Sequence, residues 1–184
     1  MKHSIFSAAL IGATLLMPAA HAAGYLHIED IPGESRAPGH EDWIDILTMS
    51  ESVAMPDNSG AGRRTGAAQS SGITITRQMD ISSPYLMNAV VRGTRFDEVT
   101  IDFTGRTPSG AVEPYYSVEL RNAVITSVST NIAEDSFEEE LTLQYENITW
   151  TVHEPRGEDH STEWNRSQNT STAPRVRPLP TRAQ

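Results

Sequence analysis

The chain has 184 residues, a formal net charge of −10 and no cysteine. Its acidic character argues against nucleic acid as a partner. The lack of thiols excludes disulfides, thiolate nucleophiles and cysteine-based metal sites within this chain.

Residues 1–22 have the pattern of a secretory signal peptide. Lys2 lies in a charged start, an apolar run extends from Ile5 to Met17, and Ala22 ends a small-x-small cleavage site. The apolar run, about 13 residues long, is too short to cross a bilayer. We therefore expect cleavage after Ala22 and a secreted or periplasmic protein. The alternative is a cytoplasmic chain that begins at Met17.

Beyond this leader, apolar residues recur at every second position, which is typical of β-strands. Strands are predicted near residues 25–31, 43–53, 73–79, 96–104, 115–130 and 137–153. One helix is predicted over residues 84–92. Ser83 can act as its N-cap, Pro84 suits its first position and Gly93 can end it. The predicted fold class is mainly β, an antiparallel two-sheet β-barrel with one short flanking α-helix.

The fifth predicted strand indicates which of its faces is covered. Its even positions are apolar at Tyr116, Val118, Leu120, Val124 and Val128. Its odd positions carry polar residues such as Ser117 and Glu119. This alternation predicts a strand with one covered face.

The last predicted strand changes phase along its length. Its apolar positions are odd as far as Tyr145 and even from Ile148 onward, so the apolar face switches sides around Glu146. A β-bulge would bend the strand at this point. Alternatively, Ile148 and Trp150 are buried against a neighbouring subunit. Both explanations can hold together.

Two segments are predicted to lack regular structure. Residues 54–72 form a Gly-, Ser- and Ala-rich connection far longer than a hairpin loop, which is typical of functional or disordered loops. Residues 154–184 have few large apolar residues and are predicted to be a mostly flexible extension. The predicted organisation is a signal peptide over 1–22, a β-barrel domain over 23–153 and this extension.

No group of residues matches a catalytic or metal-binding motif. The histidines beyond the leader are scattered, at His27, His40, His153 and His160. None forms a pair at i, i+4, and no serine lies in a Gly-x-Ser-x-Gly elbow. The acidic run over 134–140 lacks the spacing of a calcium loop and is predicted to be a solvated or interface-facing strand end. We therefore predict no cofactor, no metal site and no enzymatic activity.

Several sequence landmarks occur in a fixed order along the chain. They are GYLHIEDIPGES at 24–35, EDWIDILTMS at 41–50, ITITRQMDISSPYLMNAVVRG at 73–93, FDEVTIDF at 96–103, YYSVELRNAVITSVST at 115–130 and EELTLQYENITW at 139–150. The segment WNRSQN follows at 164–169. This order resembles the haemolysin-coregulated protein family, Hcp, whose members build the tube of bacterial type VI secretion systems.

The resemblance implies a barrel whose copies close into six-membered rings that stack into a hollow tube. The implied partners are further copies of the chain, effector proteins and other components of the secretion system. Neither nucleic acid nor insertion into a membrane is expected. Typical members carry no cleavable signal, so residues 1–22 depart from the family. The alternatives are an exported monomeric binding module and a periplasmic or extracellular Hcp-like filament protein unrelated to effector delivery.

Two sets of candidate site residues follow. The predicted subunit interface consists of Arg63, Arg64, Glu138, Glu139, Glu140, Ile148 and Trp150, in which the two arginines of the long loop would meet the acidic run of a neighbour. The predicted lumen consists of Thr48, Ser50 and Ser52, which are expected to continue the face of Ile44 and Ile46. The family resemblance suggests that part of this face lines the channel and must stay wettable.

Overall fold

The fold was derived from a computed structural model, which describes residues 23–56, 66–107, 110–154 and 157–172, and residues 175–177 in their backbone. Its strands are β1 (Ala23–Ile28), β2 (Ile44–Ile46), β3 (Thr48–Ala54), β4 (Gln69–Gln78), β5 (Arg95–Arg106), β6 (Val112–Ala133), β7 (Ser136–Gln144), β8 (Asn147–Val152), β9 (Asp159–Asn165), β10 (Thr170–Ser171) and β11 (Arg175–Arg177). The helix α1 spans Ser83–Arg92, between β4 and β5. The predicted signal peptide lies outside the described residues.

The strands form an antiparallel barrel in which two sheets share β6. The first half of β6 pairs with β5, which pairs with β1, and β1 pairs with β2. The second half of β6 pairs with β7, which pairs with β4, and β4 pairs with β3. Because β2 and β3 follow one another directly along the chain, these pairings close the barrel. This confirms the predicted fold class.

The barrel is filled by side chains from the inward positions of its strands. Fully buried residues include Leu26, Ile44, Ile73, Ile75, Val99, Ile101, Val118, Leu120, Leu141, Leu143 and Ile148. Most are branched aliphatic residues, which suit the pleated surface of a sheet and pack densely between two sheets. The barrel therefore has a dry core of its own within a single chain.

Helix α1 packs against β6 through Leu86 and Ala89, both of which are buried. Gly93 ends the helix in the left-handed conformation (φ 61°), as the sequence predicts. The predicted N-cap is wrong by one residue. Ser82 occupies the cap position without a side-chain capping bond, whereas Ser83 is the first helical residue and turns its hydroxyl inward.

The second predicted strand, over 43–53, is divided at Leu47 into β2 and β3. Ile44 and Ile46 point into the barrel, whereas Thr48 and Ser50 are exposed. The expectation that these residues share one face is therefore wrong. A β-bulge after Glu51 in the pairing with β4 also interrupts the alternation of inward and outward side chains along β3.

The phase change predicted near Glu146 is present, but its mechanism differs from a β-bulge in that strand. The register is the same at the two pairs that flank Glu146, Arg121 with Asn147 and Val124 with Gln144, and it shifts only further along β6, between Ile125 and Ser127. The facing strand switches sides as well, at Asn122, which has a left-handed backbone (φ 51°). Both strands therefore turn together. The even face of β6 is buried only as far as Leu120, and Ala123 takes the inward position after it.

The predicted extension after residue 153 continues the first sheet. Strand β9 pairs with β8, and both β10 and β11 pair with β9. Trp164 on β9 is buried in the barrel's hydrophobic core. The expectation of a mostly flexible extension is therefore wrong for the region of β9 to β11, because one large aromatic residue and backbone pairing hold it to the barrel.

Candidate functional site

The outer surface of the second sheet is covered by polar side chains, and we call it the polar face. Outward positions on β3, β4, β7 and the second half of β6 carry Thr48, Ser50, Thr74, Thr76, Gln78, Ser127, Ser129, Asn131, Glu138, Glu140 and Thr142. None of these outward residues is cationic or apolar. The sequence alternation of these strands produces this surface, since most of their inward neighbours are buried in the core.

Strand register places these residues in rows across the sheet. Ser50 pairs with Thr74, Thr74 with Thr142, and Thr142 lies opposite Ser127. The next row runs from Thr48 through Thr76 and Glu140 to Ser129. The hydroxyl oxygens of Thr48 and Thr76 are 2.6 Å apart and share a hydrogen bond. Such rows present donors and acceptors to water across four strands, so the polar face is strongly wettable.

The predicted lumen residues Thr48, Ser50 and Ser52 are all exposed on β3. Thr48 and Ser50 lie within the rows of the polar face. Ser52 lies at the β-bulge, and its backbone N–H donates to the Ser71 hydroxyl at 3.2 Å. The three residues are thus available to solvent on the outside of the barrel, where a channel between copies would have to be lined.

The three glutamates of the predicted interface do not share one face, because successive side chains of β7 point to opposite sides of the sheet. Glu138 and Glu140 are exposed on the polar face, in the same rows as the predicted lumen residues. Glu139 points the other way and is 2% exposed. The structure therefore places Glu138 and Glu140 of the predicted interface on the same surface as the predicted lumen residues Thr48 and Ser50, and removes Glu139 from it.

Glu139 belongs to a buried ionic cluster at the start of α1. Its Oε2 accepts a hydrogen bond from the Ser83 hydroxyl at 2.8 Å and lies 3.7 Å from the guanidinium of Arg77, which is fully buried. Arg77 also donates to Asp80 and to the Ser82 hydroxyl, each at 2.5 Å. The cluster satisfies every charge it buries and holds the helix N-terminus to β4 and β7.

The apolar members of the predicted interface are used within the chain. Ile148 is fully buried in the barrel core. The indole N–H of Trp150 donates to Glu51 at 2.8 Å, and the hydroxyl of Tyr145 donates to the other oxygen of the same carboxylate at 2.8 Å. Burial raises the pKa of Tyr145 well above its ordinary value, and the Glu51 carboxylate acts in the same direction. The phase change in this strand therefore needs no neighbouring subunit.

Arg63 and Arg64, the cationic half of the predicted interface, lie outside the described residues. Other arginines line a cavity of about 480 Å³ beside Asn122, where β6 and the β7–β8 segment turn. Arg95 and Arg166 contribute guanidinium groups to this cavity, together with the carboxylate of Glu146. Sequence reasoning did not identify it, because its walls come from strands and a turn that are far apart in the chain.

A chain of hydrogen bonds that the sequence does not reveal crosses the outside of the first sheet. The Ser117 hydroxyl lies 2.9 Å from Nε2 of His153, whose Nδ1 lies 3.1 Å from Asp159. This order of groups is that of a catalytic triad. However, Ser117 donates its proton to Asp102 at 2.5 Å, and a carboxylate beside the nucleophile would oppose an oxyanion. The arrangement supports a structural network that links β5, β6 and β9.

Within the ranges that the structure describes, no group of three or more His, Asp or Glu side chains is arranged to hold a metal ion. In the same ranges, no helix has the length and apolarity needed to cross a membrane.

Solved structures with the same fold include a type six secretion system protein, with a TM-score of 0.72 at 19% identity over 83% of this chain and 100% of that chain. Hcp1 from Salmonella typhimurium superposes with a TM-score of 0.70 at 16% sequence identity, over 82% of this chain and 99% of that protein. Hcp1 from Escherichia coli EAEC 042 gives a TM-score of 0.66 at 24% identity, over 76% and 95% of the two chains. At these identities the likeness establishes the fold.

Sequence comparison gives the family. The Major exported protein of Pseudomonas aeruginosa is 29% identical over 144 residues, which is 74% of this chain and 83% of that relative. Residues 25–152 match the sequence profile described as "Type VI secretion system effector, Hcp". This match spans more than half of the chain and coincides with the barrel from β1 to β8. The chain therefore belongs to the Hcp family of type VI secretion systems.

Proposed function

We propose that this chain is a structural subunit that assembles into hexameric rings and tubes and carries or accompanies effector proteins. The observation that supports this best is the polar face. Four paired strands present only hydroxyl, amide and carboxylate groups on a surface that the monomer does not need for its core. A channel through which folded protein passes must be hydrated and free of apolar patches, and this surface has both properties.

The same surface gives the lumen its charge. Glu138 and Glu140 would be repeated in every copy of a closed ring, and the outward positions of this sheet carry no compensating cation. Repeated carboxylates in a narrow channel add their potentials. We expect the channel to favour neutral or basic cargo surfaces over acidic ones.

Assembly can be tested by measuring the mass of the purified chain in solution and imaging the particles. The expected results are masses of several subunits and ring-shaped particles at micromolar concentration. A stable mass of one subunit over that range would contradict assembly and favour the monomeric binding module.

We also propose that the chain is exported with removal of residues 1–22. The supporting facts are the apolar leader in the sequence and a relative that is named for its export. The intact mass of the exported protein should correspond to a chain that begins at Ala23. A chain that begins at Met17 would instead place assembly in the cytoplasm.

A further inference from the structure

The cavity beside Asn122, which we call the arginine cavity, is lined by two arginines, although the protein as a whole is acidic. Arg95 is exposed and has no hydrogen-bond or ion-pair partner among the described residues. Its guanidinium can therefore donate two parallel hydrogen bonds to an incoming carboxylate. Arg166 lies across the cavity, held in place by hydrogen bonds to the Gln144 side chain and to the Ser70 carbonyl at 3.4 Å.

The acidic residue of the cavity does not cancel these charges by ion pairing. Both oxygens of Glu146 accept hydrogen bonds from neutral groups, one from the Asn122 amide at 2.9 Å and one from the Ser167 hydroxyl at 3.3 Å. Val124 and the ring of Tyr145 supply apolar wall between the charged groups. The cavity is thus suited to a segment that carries carboxylates beside apolar side chains.

One segment of the same chain has this chemistry, namely residues 132–137 around the turn between β6 and β7, which we call the hairpin tip. Glu134 and Asp135 are both exposed at the turn. Ile132 and Phe137 form a cross-strand pair immediately behind them and are 63% and 52% exposed. The hairpin tip therefore presents an aliphatic–aromatic pair next to two carboxylates, which is the combination that the arginine cavity can accept.

The hairpin tip cannot reach the cavity of its own chain. Asn122 lies within β6, and Glu134 directly follows the end of the same strand, 12 residues further on. Because a strand rises ~3.3 Å per residue, roughly 40 Å separates them. The paired strand β7 keeps the hairpin extended over this distance. Contact between the hairpin tip and an arginine cavity therefore requires two copies.

We infer that the hairpin tip of one copy docks in the arginine cavity of the next. This inference rests on the proposed self-assembly and names the surfaces that perform it. Glu134 or Asp135 pairs with Arg95, while Phe137 covers the apolar wall at Val124. Because the two surfaces are different and far apart on each copy, the contact is heterologous and repeats from copy to copy, as a closed ring requires. It also needs neither Arg63 nor Arg64.

The absence of cysteine from the chain permits a direct test by cross-linking. The double variant Arg95→Cys with Asp135→Cys should form a ladder of covalently linked oligomers when treated with a short bismaleimide, because the β-carbons of a docked arginine–aspartate pair are too far apart for a disulfide but within reach of this cross-linker. Each single variant should stay monomeric on the same denaturing gel, since a heterologous contact does not place identical positions together. The pair Arg95→Cys with Glu113→Cys, which also replaces an exposed acid, should give no ladder.

Charge reversal gives an independent measurement. Arg95→Glu should weaken self-association at least tenfold, and adding Glu134→Arg with Asp135→Arg in the same chain should restore it. Arg36→Glu introduces the same change of charge at an exposed position away from the cavity and should leave association unchanged. Circular dichroism spectra of all variants should match that of the parent chain.

The outcomes separate this inference from the proposed function. Rings that form normally in the Arg95→Glu variant, or a double-cysteine variant without a ladder in preparations that contain rings, overturn the docking contact and leave self-assembly standing. A parent chain that stays monomeric at every concentration overturns both.

Discussion

At the scale of single residues, the sharpest contrast lies between two neighbouring glutamates on β7. Glu138 is exposed, whereas Glu139 is buried against Arg77 and Ser83. Removing Glu139 takes the acceptor from the buried Ser83 hydroxyl and leaves Arg77 with its ion pair to Asp80 alone, whereas an exposed carboxylate contributes little to stability. The two positions therefore form a matched pair for measurement.

We expect Glu139→Ala to lower the free energy of unfolding by about 2 kcal/mol, because the buried Ser83 hydroxyl loses its charged acceptor. Glu138→Ala, on the same strand, should change it by less than about 0.5 kcal/mol. Urea denaturation followed by circular dichroism gives both values. Equal effects of the two substitutions would show that Glu139 is solvated and that the cluster around Arg77 does not contribute.

Tyr145 provides a second prediction, on alkaline stability. Burial raises its pKa in the folded chain, whereas an unfolded tyrosine ionises near pH ~10. The folded state therefore holds the phenol proton more tightly, and the resulting stability is fully present below pH ~10 and is lost as the pH rises further. Burial also raises the pKa of Tyr116, with the nearby Glu51 carboxylate as a second cause.

Unfolding measured between pH 8 and pH 11 tests this. Tyr145→Phe should reduce stability at pH 8 by about 1 kcal/mol through the lost hydrogen bonds to Ser70 and Glu51, and should flatten the decline above pH ~10. Tyr115→Phe, at an exposed position, serves as the control. A decline of the same steepness in the Tyr145 variant and the parent would contradict this account.

At the scale of elements, the shape of the barrel depends on a joint turn of β6 and the β7–β8 segment. Asn122 has a left-handed backbone at this point, a conformation that asparagine and glycine adopt more easily than other residues. The side chain also donates to Glu146 across the turn. As a result, the inward face of both strands changes at the same level, which keeps Ile148 and Ala123 in one core.

Two substitutions at Asn122 separate backbone strain from the lost hydrogen bond. Both Asn122→Gly and Asn122→Val remove the bond to Glu146, but only valine resists a positive φ. We expect the valine variant to be about 1–2 kcal/mol less stable than the glycine variant in thermal or urea unfolding. If the two variants are equally stable, the left-handed conformation is not required for the turn.

A second feature that shapes the strands is the β-bulge between β3 and β4. Gly72 lies there with φ 83°, and a β-carbon on it would come within 2.6 Å of the Leu143 carbonyl oxygen. No other residue type fits this space without movement of β7. The bulge shifts the pairing of β3 and β4 between Glu51 and Val53 and so sets where the polar face ends.

At the scale of the whole molecule, the polar face allows a test of the proposed lumen that is separate from assembly. Ser50 lies in the middle of a hydroxyl row and contributes nothing to the core. We expect Ser50→Arg to leave ring formation intact and to abolish cargo binding or passage, because a long charged side chain from every copy would fill the channel.

Co-purification of cargo with rings of the variant and of the parent gives the readout. Asn88→Arg adds the same side chain to an exposed position of α1, outside the polar face, and should bind cargo as the parent does. Unaltered cargo binding by the Ser50 variant would show that Ser50 does not line the channel.

The sequence by itself determined where most of the barrel strands from β1 to β8 lie, and the helix and its end at Gly93, because alternation with a period of two and backbone preferences are local properties. It also gave the family resemblance, since ordered landmarks survive in the chain itself. It placed the phase change near Glu146 correctly, because the apolar residues on either side differ in parity. The sequence could not show that β6 changes its inward face at Asn122, opposite the change near Glu146, because the pairing of β6 with the β7–β8 segment is formed only in the folded chain.

Only the tertiary structure decided how the buried acid is paired and which surfaces coincide. The alternation of β7 puts Glu139 on the inward side with Leu141 and Leu143, but only the folded chain supplies its buried partner Arg77, on a strand that is distant in the chain. Likewise, Thr48 and Ser50 join Glu140 and Thr142 on one face through the register of two strand pairs, β3 with β4 and β4 with β7. The arginine cavity is assembled in the same way from β5, β6, β7 and the turn after β9. Contacts of this kind are set by long-range strand pairing, which the order of residues along one strand does not specify.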